Sequence, residues 1–261
     1  MTLPNNDQIP LLEFDPNPRA FINAADHSHK LDIPSAVVLC FFHDVIEQLV
    51  KEGALREVYA LRSEMGAHPL YVFTMPHGGQ ICLMHPSVGG PIGSALIEEL
   101  IGHGIRQIVA IGGAGSLQQQ LTVGHVVVPT MALRDEGTSY HYVAPSRWIA
   151  AQPAVTQVIR DVLTEQQIPF VEGPTWTTDA FYRETVAKVE RRRNEGCLTV
   201  EMENASFLAV AQLRNIQFGQ ILYSGDDLSS EVWDSRGWHT HASLRHNLTM
   251  VATEVAWRLQ Q

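Results

Sequence analysis

Residues 198–205, LTVEMENA, set two carboxylates, Glu201 and Glu203, on either side of Met202. An ionised carboxylate only accepts hydrogen bonds, and its two oxygens can hold two neighbouring hydroxyls at once, as a ribose diol offers them. Leu198, Thr199 and Val200 read as a short buried strand. Ala205, Leu208, Ala209, Ala211 and Gln212 then recur at helical spacing. The acids therefore fall where a strand hands over to a helix, the region in which open α/β sheets bind ligands. If the strand runs on through Glu203, the two acids share a face with Met202 opposite. On their own they also fit two surface acids favoured by a helix dipole.

Other residues fit the same kind of site. Asp226 and Asp227 lie in SGDDL (224–228), at the end of a second apolar run. PSVGGP (86–91) reads as a glycine-rich turn and IVAIGGAGSL (108–117) as a strand running into a second glycine-rich loop, where Gly89, Gly112 and Gly113 let backbone approach a ligand. Free N–H groups there suit an anion or a hydroxyl. Neither segment is a dinucleotide fingerprint or a P-loop. TTDAFYRET (177–185) brings an aromatic pair, Phe181 and Tyr182. His239, His241 and His246 are spread over a Trp-flanked turn and a helix start, and read as solvated; no metal and no cofactor is expected.

The elements that must position these residues alternate. AVVLCFF (36–42) reads as a central strand buried on both faces, followed by His43, Asp44 and a helix to about Gly53. Residues 56–65 and 70–74 read as strands, with 70–85 forming a hairpin. PSVGGP opens a helix that Gly102 and Gly104 close. Strands are expected over 108–117, 123–130, 170–175 and 218–223, and helices over 153–167 and 240–260. This predicts a single α/β domain, a twisted mixed sheet flanked by helices, over residues 36–261. Residues 1–35, rich in Pro, Asn and Asp, read as an extended arm.

Bulk properties narrow the class. A length of 261 residues with 45% hydrophobic and 18% charged side chains is a well-buried globular chain. The net charge of −10 leaves no electrostatic footprint for nucleic acid. Cys40, Cys82 and Cys197 are scattered and odd in number, which argues against a disulfide framework. No apolar run reaches membrane-spanning length and MTLPNNDQIP lacks a signal-peptide pattern, so a cytoplasmic protein is expected.

Taken in order, PSVGGP, GGAGSL with VGHVVVPT (123–130), RDEGTSYHY (134–142), TTDAFY and VEMEN (200–204) resemble the nucleoside phosphorylase family. The resemblance is to the branch holding uridine phosphorylase, hexameric purine nucleoside phosphorylase and the adenosyl-type nucleosidases, and it covers roughly residues 36–230. It implies an enzyme that breaks the ribose–base bond of a nucleoside with phosphate as acceptor. Glu203 would hold the 2′- and 3′-hydroxyls, Met202 would pack on the sugar, and Glu201 would shape that pocket. Phe181 would stack on the base with help from Tyr182, where the residue alone fits an ordinary core aromatic. Asp226 would protonate a purine ring nitrogen, with Asp227 as a neighbouring carboxylate; alone, the pair fits a turn or helix cap. RDEGTSYHY is closer to the uridine-type branch. Gly89, Gly112 and Gly113 would serve the phosphate. Family members are dimers or hexamers whose sites borrow residues across an interface, and His27 and His29 in the arm are the candidate donors.

This chain departs from the family at its phosphate grip. Asp44 and Ala110 stand where the phosphorolytic members carry arginines. Hydrolytic members lack the second arginine and carry an acid near the Asp44 position that activates water. Arg62 and Arg134 remain as other phosphate contacts. Asn204 stands where the family has a small residue, and fits a helix cap. Three readings follow: a phosphorylase, a nucleosidase using water, and a non-catalytic nucleoside-binding protein.

Overall fold

A computed structural model describes residues 9–230 and 232–261. Residues 1–8, the start of the expected arm and most of the segment read for a signal peptide, lie outside the described residues. The remainder of the arm is irregular apart from a single 3-10 turn and the short helix α1 (Ala24–His27). It is tied to the body by Arg214 Nη1 donating to the Pro18 carbonyl at 2.7 Å and by Leu31 N–H to the His103 carbonyl at 3.1 Å.

The apolar runs become strands of one ten-stranded mixed sheet. β1 (Ala36–Cys40) is wholly buried, with Ala36, Val38 and Cys40 in one core and Val37 and Leu39 in the other. That alternation follows from the two-residue period of a strand covered on both faces. Next come α2 (His43–Lys51), β2 (Leu55–Ser63), β3 (Gly66–Thr74) and β4 (Gln80–Met84), the last three an antiparallel meander joined to β1 through β4. α3 (Gly90–His103) starts at Gly89 and ends at Gly104, both at positive φ. β5 (Gln107–Ser116) and β6 (Val126–Asp135) follow, then β7 (Trp148–Ala150), a short strand that no apolar run in the sequence announces. The second half runs α4 (Pro153–Glu165), β8 (Phe170–Thr178), α5 (Val186–Asn194), β9 (Thr199–Glu201), α6 (Asn204–Arg214), β10 (Gln217–Asp227) and α7 (Ala242–Leu259).

Helices α2, α4 and α7 cover one face of the sheet, and α3 and α6 the other. Phe207 of α6 and Phe218 of β10 meet edge to face at 5.7 Å, both buried. Each such burial is worth about 1.5–3 kcal/mol. Among the described residues no helix is long and apolar enough to cross a membrane.

Several boundaries differ from the expectation. The glycines of GGAGSL are strand, not loop: Gly112 and Gly113 lie inside β5, and the loop role assigned to them moves to a strand edge. SGDDL is likewise extended, since β10 runs on to Asp227. The RDEGTSYHY segment begins as strand and ends in a 3-10 turn (Thr138–His141). β9 stops at Glu201, so the alternation expected to carry on through Glu203 does not apply.

Candidate functional site

The site arises where β5 changes neighbours. Its first half pairs with β1, from Ala36↔Gln107 to Cys40↔Ile111. Its last residues pair with β9, Gly115↔Val200 and Ser116↔Thr199, on the side β1 has left. Residues 112–114 therefore have no strand on that edge, while β10 continues along the other. Such a switch of strand partners opens a crevice in an α/β sheet. Here it holds a cavity of about 760 Å³. Phe41, just past β1, and Gly112–Gly115 make its floor, and Val200–Glu203 one wall. Phe181, Tyr182, Glu184, Gly225, Asp226, Trp233 and Trp238 close the opposite side. Small residues are needed at the floor: a Cβ on Gly115 would sit 2.6 Å from Leu228 Cδ1 and 3.0 Å from Val200 Cγ1.

Glu201 and Glu203 are both buried, 6% and 5% exposed, so they are not surface acids. Their tasks differ. Glu201 Oε1 accepts from Thr177 Oγ1 at 2.6 Å, and Oε2 accepts from the Glu203 and Asn204 N–H groups at 2.8 and 2.6 Å. It thus satisfies the first donors of α6, which otherwise have no intrahelical partner. Asn204 is no cap: its Nδ2 donates to Gln220 Oε1 at 2.5 Å inside the core. Glu203 Oε1 accepts from the Gly89 N–H at 2.6 Å, which leaves most of its acceptor capacity for whatever fills the cavity.

Burial pushes both acids above the ordinary carboxylate range. The neighbouring Glu201 raises Glu203 further, and Glu136 raises Glu201, against the pull of Thr177 and the amides. The folded state then keeps protons that the unfolded chain releases. Stability carried by the pair is therefore lost as pH rises from the ordinary carboxylate range through the raised folded values. Wild type is expected to lose more thermal stability than Glu203→Gln between about pH 4.5 and about pH 8, read by melting curves.

Phe181 and Tyr182, 52% and 89% exposed with ring centroids 4.2 Å apart, are rim aromatics and not core. Met202 lines the cavity. Asp226 Oδ2 accepts from Trp233 Nε1 at 2.7 Å. Asp227 turns away from it: its carboxylate pairs with Arg236 at 2.6 Å and accepts from the Ser229 N–H at 2.8 Å. The carboxylate beside Asp226 in the cavity is instead Glu184.

Glu203, Asp226, Phe181, Tyr182, Met202, Glu201, Gly112 and Gly113 are thus brought to one cavity, with Gly89 held against it through Glu203. Asp44 is not among its lining residues; in the first turn of α2 its Oδ1 pairs with Arg245 Nη2 at 2.8 Å. Arg134 is buried and donates to Ser139, Val143, Ala144 and Ser146, so its guanidinium pins the 134–146 segment. Ala110 is wholly buried within β5, and Arg62 is exposed on β2. His29 packs on Tyr59 and His103 of its own chain, and its carbonyl meets His103 Nδ1 at 2.8 Å. Among the described residues no group of three or more His, Cys, Asp or Glu is placed to hold a metal ion.

Four cavity carboxylates, Glu184, Glu201, Glu203 and Asp226, meet no lysine or arginine in the lining. Reading the sequence missed Glu184, Gln220, Phe41, Trp233 and Trp238. Glu184 and Trp233 lie three residues after Phe181 and seven after Asp226, but only the fold turns them inward.

The model of the phosphorylase superfamily matches residues 35–255. A guanosine phosphorylase from Halorubrum lacusprofundi is 30% identical over 151 residues, 55% of this chain and 60% of that protein. A uridine phosphorylase from Salmonella typhimurium is 25% identical over 191 residues, 68% of this chain and 71% of that protein. The chain spans about half to 60% of the length of the first curated relatives it matches. In fold it is similar to a purine nucleoside phosphorylase from Toxoplasma gondii, with a TM-score of 0.73 at 22% identity over 88% of this chain and 92% of that one.

Proposed function

From a chain that belongs to the phosphorylase superfamily, and from the cavity at its strand switch, we propose an enzyme that cleaves the ribose–base bond of a nucleoside. The observation that carries this reading is Glu203: buried, fixed by one amide, and open to a cavity that also holds an aromatic pair and a second acid. Cleavage builds positive charge at the anomeric carbon. Buried carboxylates beside the sugar stabilise that charge where water cannot screen it. Glu203 clasps the 2′- and 3′-hydroxyls, Met202 packs on the sugar, and Glu201 holds the α6 terminus that carries both. Phe181 and Tyr182 stack on the base, and the acid at Asp226 suits a purine-like base. We read it as a cytoplasmic homo-oligomer.

Phosphate is the acceptor in this reading, as the names of the guanosine and uridine phosphorylase relatives suggest. Gly112 and Gly113 would present backbone to it, while the Gly89 N–H, assigned to phosphate by the resemblance, is already taken by Glu203. A second reading, water as acceptor, is favoured by a lining with four carboxylates and no cation. Replacing each charged hydrogen bond to phosphate by none forfeits about 1.5–3 kcal/mol. Purine and pyrimidine nucleosides incubated with and without phosphate decide between them. Phosphorolysis predicts phosphate-dependent base release and ribose 1-phosphate; hydrolysis predicts free ribose at an unchanged rate. Base release from no nucleoside, with ligand-dependent thermal stabilisation, would leave a binding protein.

A further inference from the structure

Within the nucleoside-cleaving reading, we propose that Glu184, and not Asp226, hands the proton to the departing base, while Asp226 faces that base as a fixed acceptor. Both carboxyls line the cavity on the side of Phe181. Their partners differ. The Trp233 indole N–H donates to Asp226 Oδ2 at 2.7 Å, which holds that carboxyl in one orientation as an acceptor. Glu184 follows the 3-10 turn Phe181–Arg183. Its carboxyl has no hydrogen bond or ion pair among the described residues. Lys188, one turn along α5, is turned to Asp135 at 3.3 Å.

The charged groups that act on Glu184 are Asp226 from β10 and Lys188 from α5. Burial first and Asp226 second push its carboxyl up to about 7, against the pull of Lys188. A general acid works best with a pKa near the working pH. Two carboxyls whose surroundings set them to different tasks are how an active site divides acid from acceptor. The sequence offers Asp227 as the like-charged neighbour of Asp226; the fold gives that place to Glu184 because Asp227 is held outward by Arg236.

The step balances. The bond between the anomeric carbon and the base nitrogen breaks, and its electron pair goes to the base. The Glu184 proton bonds to a base ring nitrogen, and the acceptor oxygen bonds to the anomeric carbon. The proton the acceptor loses returns to Glu184 through solvent.

A leaving group that departs without a proton separates this role from a structural one. Wild type, Glu184→Gln and Asp226→Asn are assayed on guanosine, inosine and uridine, and on 4-nitrophenyl β-D-riboside, whose nitrophenolate needs no proton. Glu184→Gln is expected to fall on the order of 10²-fold on whichever nucleosides wild type cleaves. On the nitrophenyl riboside it should stay within about 5-fold, at an unchanged melting temperature, and the limb of the kcat profile near neutral pH should vanish. Asp226→Asn should weaken nucleosides without this dependence on the leaving group. Equal loss on both substrate types in Glu184→Gln, full activity on nucleosides, or the selective loss in Asp226→Asn instead, each overturns the proposal. A wild type that cleaves the nitrophenyl riboside but no nucleoside overturns it too. Cleavage of neither class overturns the nucleoside reading itself.

Discussion

Glu203→Gln should lower kcat/KM for nucleoside cleavage on the order of 10³-fold while leaving the fold intact. The glutamine carbonyl can still accept the Gly89 N–H that now meets Oε1 at 2.6 Å. What it lacks is the second acceptor oxygen and the charge that the carboxyl takes on once it gives up its proton. Two hydrogen bonds from a sugar diol to a carboxylate contribute about 1.5–3 kcal/mol each. Their loss together spans roughly 10²- to 10⁴-fold, at tenfold per 1.36 kcal/mol. The effect belongs mainly in kcat, because the carboxylate acts most strongly on charge that develops in the transition state. A second measurement ties the loss to the diol. Wild type should prefer ribonucleosides over 2′-deoxyribonucleosides, and Glu203→Gln should shrink that preference. A variant that keeps the wild-type preference would remove the sugar from Glu203.

Removing the partner acid should instead unfold the site. Glu201→Ala is expected to lower stability by about 3–5 kcal/mol, roughly a 10 °C fall in melting temperature for a chain of this size. The Glu201 carboxylate takes three buried donors: the Thr177 hydroxyl and the amides of Glu203 and Asn204. Each orphaned buried donor costs about 1–3 kcal/mol, and relief of like-charge repulsion with Glu203 offsets part of the sum. Glu201→Gln, which keeps one acceptor oxygen, should fall between wild type and alanine. In both variants the Glu203 carboxyl should move back towards the ordinary range, since burial first and Glu201 second hold it up. Calorimetry and a pH titration of the melting temperature check these outcomes. A stable Glu201→Ala would mean that solvent or another group caps α6.

Part of this division was legible in the residues. LTVEMENA announced a strand, a handover and two acids there, because β-branched and apolar spacing are local signals. The single α/β domain with its mixed sheet was also legible, since alternating strands and helices leave few other architectures. The GGAGSL segment was not, because glycines that favour a turn in isolation stay extended when β10 pairs with Gly112, Gly113 and Ala114. Asn204 shows the same limit. Asparagine is a good cap by type, but the capping oxygens come from Glu201, whose reach depends on where β9 stops.

What the sequence determined by itself was the roster: carboxylates at two strand ends, an aromatic pair between them, and the absence of arginine at positions 44 and 110. Tertiary structure alone decided which of these share a cavity and in what state. It sent Asp44 to Arg245 and Asp227 to Arg236, and it brought Glu184 in beside Asp226. The physical reason is that strand partners and burial are set by residues far apart in the chain. A carboxylate's neighbours, and through them its proton affinity, exist only once β5 has exchanged β1 for β9.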